Sequence, residues 1–82
     1  MNKSKSQSTS VVTIKQQVAD SLKPVIQQRL DSGVSQKDIS EVLQCTQPRV
    51  SNLLNNHLDK FSLDKLFDFC LRLELKPQIK IQ

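Results

Sequence analysis

The sequence predicts an all-α domain closed by one short C-terminal strand, and three observations carry that prediction. Apolar residues recur at steps of three and four through Ile14, Val18, Leu22, Val25, Ile26 and Leu30, and Leu63, Leu66, Phe67, Phe69, Cys70, Leu71 and Leu73 make a second helical segment the most apolar of the chain. Helix-start signals stand at Ser35, Pro48 and Ser62. From Lys76 to Gln82 polar and apolar residues alternate strictly, with Pro77, Ile79 and Ile81 on one side, which is a strand signature.

In chain order, residues 1–12 read as a flexible basic tail. The run MNKSKSQSTS has Met1 as its one apolar residue, a composition that cannot offset the entropy of ordering. Residues 13–75 form the folded domain and 76–82 the strand. The β-branched run Val11-Val12-Thr13-Ile14 leaves a short strand open as an alternative start. The first apolar face runs through Pro24, so either the helix kinks there or a second helix begins with Pro24 at its first position. Asp31-Ser32-Gly33 ends it, since Gly33 accepts the left-handed conformation of a helix end.

Ser35 opens the next helix, with Asp38 favouring its positive end. It carries Ile39, Val42 and Leu43 and stops near Gln44. The residue before a proline is pushed out of the α region, so Gln47 is expected to cap the following helix and Pro48 to be its first residue. A loop follows at Asn55-Asn56-His57. Ser62 caps the last helix, which is the most apolar segment and the expected wall of the core.

Composition narrows the chemistry. The chain has 82 residues, 12 Lys or Arg against 8 Asp or Glu, and a net charge of +4, with one Gly, two Cys and one His. A chain this short supports one small domain, which excludes a multidomain enzyme. One glycine cannot build a phosphate-cradling loop. No apolar run approaches the roughly 20 residues of a membrane span, and the N-terminus has no apolar core behind its lysines, so a cytosolic protein without membrane contact is expected. Cys45 and Cys70 are neither a metal-type pair nor a disulfide framework and read as buried thiols. With His57 they give three ligands at most, against about four for zinc, and no base is spaced to activate a nucleophile. Neither metal, cofactor nor enzyme activity is expected. Asp64 and Asp68 read as a helix start and its solvent face, and Phe61, Phe67 and Phe69 as core or dimer contacts.

The segment SQKDISEVLQCTQPRVSNLL carries the function. Counting Gln36 as position one, the apolar residues Ile39, Leu43, Cys45, Val50 and Leu53 fall at positions 4, 8, 10, 15 and 18. Two short helices crossing steeply over a tight turn bury these inward positions and need a small residue where they touch, which Ser40 supplies. This motif, residues 36–55, resembles the helix-turn-helix of the lambda-repressor-like, Cro-type (XRE) family. With KFSLDKLFDFCLRLEL and the terminal strand behind it, the chain is similar to small HigA-type antitoxins and phage regulators over roughly residues 22 to 82. One position departs: Gln44 stands where the family has Gly in a left-handed turn, at a cost of about 1–2 kcal/mol.

The resemblance implies a double-stranded DNA-binding transcription regulator whose second motif helix enters the major groove. By position, Gln47 and Asn52 are its amide readers of adenine and Arg49 its guanine reader. Pro48 offers a thymine methyl contact or fixes the helix start. Gln36 and Lys37 would lie against one backbone, and Ser51, Asn55, Asn56, His57 and Lys60 against the other; such contacts position without specifying sequence. A strand without an internal partner points to pairing across a homodimer, or else to pairing with Val11–Ile14. A two-fold dimer would read a pseudo-palindromic operator, as a repressor of its own promoter. The alternative is a protein-interaction module such as an antitoxin neutralising a toxin, with the tail folding on that partner.

Overall fold

The computed structural model describes residues 10–80, and over that range the chain is helical with no strand. The element order is α1 (Val11–Asp31), α2 (Gln36–Leu43), α3 (Gln47–Leu54), a 3-10 turn (Leu58–Lys60) and α4 (Leu63–Arg72). The expected tail lies, for residues 1–9, outside the described residues.

Helix α1 starts earlier than the periodicity implied. The Ser10 hydroxyl accepts the Thr13 N–H at 3.2 Å, so the β-branched run forms the first helical turn and the strand alternative for residues 11–14 falls away. The helix also continues through Pro24 as one element. Val18, Ala19, Leu22 and Ile26 line a single fully buried stripe across the proline, while Pro24 itself faces solvent. Burial on both sides of Pro24 outweighs the one backbone bond it removes.

This long helix is the floor of the fold. Helix α4 packs along it with Leu66, Phe69 and Cys70, and α3 and the 3-10 turn rest on it through Leu53 and Leu58. Helix α2 lies against α3 and α4 and contributes Ile39 and Leu43. Of the five inward motif positions, Ile39, Leu43, Val50 and Leu53 are buried and Cys45 is half-buried. Ser40 is buried as its small size required, its hydroxyl donating to the Lys37 carbonyl at 2.6 Å.

Four connections end on a residue with positive φ: Gly33 at 105°, Gln44 at 56°, Asn56 at 64° and Glu74 at 55°. Each closes its helix in the same way. The next residue donates its N–H five residues back, Val34 to the Arg29 carbonyl, Cys45 to Ser40, His57 to Asn52 and Leu75 to Cys70. With one glycine in the chain, three of these turns carry side chains that the left-handed region disfavours.

Two boundaries require correction. The cap of α3 is Thr46, not Gln47: a threonine hydroxyl can accept the Arg49 N–H, at 3.4 Å, whereas a longer glutamine is poorly placed to do so, and Pro48 becomes the second helical residue. The expected C-terminal strand is absent over the described residues 76–80, and with it the pairing inferred across a dimer. The alternation itself is real, since Pro77 and Ile79 are half-buried and Lys76, Gln78 and Lys80 exposed. Its partner is the side of α1. The Gln17 carboxamide donates to the Lys80 carbonyl at 3.0 Å and accepts the Lys80 N–H, and Ser21 Oγ accepts the Gln78 N–H at 3.1 Å. One carboxamide offers the same donor and acceptor as a peptide group, so these side chains serve an extended segment as a neighbouring strand would.

Candidate nucleic-acid interface

Helix α3 is held by its inner stripe. Val50 and Leu53 are fully buried and Leu54 half-buried. At roughly 100° per residue, Pro48, Asn52 and Asn55 fall on the side opposite Val50, Gln47 and Ser51 on one flank, and Arg49 and Asn56 on the other. Gln47, Pro48 and Asn55 are exposed and Asn52 is half-buried. Polar side chains are thereby presented on a surface fixed by a packed core.

The candidate residues divide by what they already touch. Gln47, Lys37 and Lys60 make no side-chain hydrogen bond among the described residues, and Gln36 sits half-buried in the first turn of α2 behind the Ser35 cap. Asn52 Oδ1 lies 3.5 Å from His57 Nδ1, and Asn55 Nδ2 lies 3.4 Å from Ser51 Oγ, long contacts that leave both amides available.

Arg49 and Asn56 are not available in the same sense. Arg49 Nη1 donates to the Lys60 carbonyl at 2.5 Å, and its guanidinium carbon lies 5.6 Å from the centroid of the Phe61 ring. Asn56 faces α1: its amide exchanges two 2.9 Å bonds with Gln16, and its oxygen accepts from Lys23 Nζ at 2.6 Å. The structure therefore gathers Gln36, Lys37, Gln47, Pro48, Ser51, Asn52 and Asn55 on the surface of α2 and α3, with His57 and Lys60 on the adjoining loop. It turns Arg49 along the helix flank and Asn56 toward α1.

Beside the start of α3 is a cleft of about 400 Å³. Arg49, Lys60 and Lys65 line it together with Thr46, Cys45, Phe61 and Phe69, and no carboxylate does. Lys65 lies outside the residues that the motif points to; its ammonium stands 5.6 Å from the centroid of Phe69. Its place in the first turn after the Ser62 cap is the one sequence signal that could have drawn attention to it. Burial pushes the Cys45 thiol up, while Lys65 and then Arg49 pull it the other way without prevailing. A protonated, half-buried thiol is a poor nucleophile and a poor metal ligand.

Among the described residues no three His, Cys, Asp or Glu side chains converge, and no helix is long and apolar enough to cross a membrane. What the surface can do is donate and accept hydrogen bonds from amides on one rigid helix, with cations beside them. A family model described as a helix-turn-helix domain matches residues 4–82, all but the first three residues of the chain. Compared with curated proteins, the chain matches none.

Proposed function

Because the chain belongs to the helix-turn-helix domain family, we propose that it is a sequence-specific regulator of transcription, a repressor that binds a pseudo-palindromic site in its own promoter as a homodimer in the cytoplasm. The observation that carries the proposal is the placement of Asn52 and Asn55 on the side of α3 opposite the buried Val50, with the exposed Gln47 on the flank of its first turn. Amides at these positions can bond the N6 and N7 edge of adenine in the major groove. Lys37 and Lys60 supply backbone contacts at either side. The protein acts by binding and not by catalysis. Dimerisation follows from the size of the reader: one eight-residue helix covers a few base pairs, and two copies reading half-sites one turn apart cover an operator.

Selection of bound sequences from a random duplex library tests this directly. A pseudo-palindrome with adenine-rich half-sites is expected, with sedimentation giving two copies per site. Recovery of no preferred sequence would sink the proposal.

A second reading, that the chain also binds a partner protein such as a toxin, draws on Val11 and Val12. These are 58% and 74% exposed in the first turn of α1. Replacing both with Ser leaves DNA binding in place and abolishes capture of the partner under this reading; unchanged capture removes these residues from that role.

A further inference from the structure

Arg49 is the one arginine on α3, and position alone makes it the guanine reader. A guanine contact of that kind uses two N–H groups of the guanidinium, pointed into the groove. In the structure the guanidinium is already engaged at its Nη1 end. Nη1 donates to the backbone carbonyl of Lys60, eleven residues on, and the guanidinium stands over the ring of Phe61. Phe61 is itself 4% exposed and meets Phe69 edge-on, with centroids 5.8 Å apart and ring planes at 75°. The group that Arg49 grips is therefore a fixed part of the core.

What the contact fastens is the connection between α3 and α4. That connection is otherwise anchored by the buried Leu58 and Phe61 and, at its start, by the Asn56 amide on Gln16 and Lys23, and beyond Asn56 it carries His57 and Lys60 exposed. A loop side chain that must be ordered at the moment of binding lowers affinity by the entropy of that ordering, and a loop already strapped down avoids it.

We infer that Arg49 is a positioning residue: it straps the loop His57–Phe61 to α3 so that Lys60 is preset against the DNA backbone, while the choice of bases falls to Gln47, Asn52 and Asn55. The inference rests on the DNA-binding function proposed above.

The test uses the full chain and the sequence that the wild type selects, titrated over a series of salt concentrations. The variants are Arg49→Ala, Arg49→Met, Lys60→Ala and Arg49→Ala combined with Lys60→Ala. Arg49→Met keeps the aliphatic stem on Phe61 and removes only the guanidinium. Both Arg49 variants are expected to weaken binding about 10-fold, by the same factor on every single-base variant of the site. Lys60→Ala is expected to lower the slope of log affinity against log salt by about 1, and to add little once Arg49 is gone. In the DNA-free protein the Lys60 and Phe61 amides, bonded to His57 and Leu58 carbonyls, exchange faster in both Arg49 variants.

A loss of preference at one base pair, with the Lys60 effect still fully additive, would overturn the inference and restore Arg49 as a reader. Unchanged amide exchange would overturn it as well. A wild type that selects no sequence fails earlier, at the DNA-binding function itself, and takes this inference with it; the wild-type titration alone distinguishes that case.

Discussion

The outer side of α3 and the margin that carries Arg49 and Asn56 are built from the same kinds of residue and do opposite things. On the outer side, Asn52 and Asn55 make at most long contacts with their neighbours, and Gln47 on the opposite flank makes no side-chain hydrogen bond among the described residues. At that margin, Arg49 is bonded to the Lys60 carbonyl and Asn56 to Gln16 and Lys23. Polar residue type does not distinguish a reader from a brace. The difference lies in whether another element comes within reach: the 3-10 turn folds back on Arg49, α1 passes Asn56, and among the described residues nothing covers the outer side.

Substitution on the outer side and at the margin therefore separates affinity from stability. Asn52→Ala is expected to show the largest effect, about 2 kcal/mol or roughly 30-fold in operator affinity, with the base preference relaxed at one position. The melting temperature should stay within a degree or two, because its one side-chain contact is long. A drop in melting temperature matching the lost affinity would erase the distinction between outer side and margin.

Asn56→Ala should behave in the reverse manner. It removes the amide pair with Gln16 and the bond to Lys23, and it places alanine at a φ of 64°. Stability is expected to fall by about 1–2 kcal/mol, with base preference untouched. Asn56→Gly sharpens this, since glycine accepts the same φ and isolates the amide contribution. Chemical denaturation of both variants reads the two parts separately.

Much of this arrangement is legible in the sequence where the cause is local. Ser35 and Ser62 announce their helices through a hydroxyl that bonds three residues ahead, and Gly33 announces an end because it alone lacks a β-carbon. The inward motif positions follow from the helical period. The rest depends on partners far away in the chain. Nothing near Lys80 indicates that Gln17 will pair with it, 63 residues distant, so an alternating segment reads as half of a sheet. Nothing near Arg49 indicates a carbonyl at Lys60. The same limit applied at Pro24, where the local rule against proline yields to burial on both sides of it.

A smaller effect is expected at the turn inside the motif. Gln44 holds a φ of 56° at the end of α2, where its N–H bonds to Glu41 and the next N–H to Ser40. Glycine there relieves a cost of about 1–2 kcal/mol but adds freedom to the unfolded chain. Gln44→Gly should thus stabilise by about 0.5–1 kcal/mol. Because the turn sets the angle between α2 and α3 and not the side chains of α3, operator preference is expected to remain the same.

The smallest effect provides a local probe of the Arg49 margin. The Cys45 thiol lies in the cleft beside Arg49 and Lys65, held above the ordinary thiol range by burial, with Lys65 and then Arg49 drawing it back. Cys70 is raised by burial alone. Both groups bind their protons more tightly when folded. The stability they contribute is therefore complete below the ordinary thiol value of about 8.5 and is lost as pH rises through the higher folded values. Alkylation of Cys45 followed against pH should show a midpoint above that of the unfolded chain. Removing the guanidinium in Arg49→Met takes away one of the two groups that lower it, so the midpoint moves further up, while Asn52→Ala leaves it in place and Cys70 moves in neither. A Cys45 midpoint indifferent to Arg49 would place the guanidinium away from the cleft in solution and return it to the outer side of the helix.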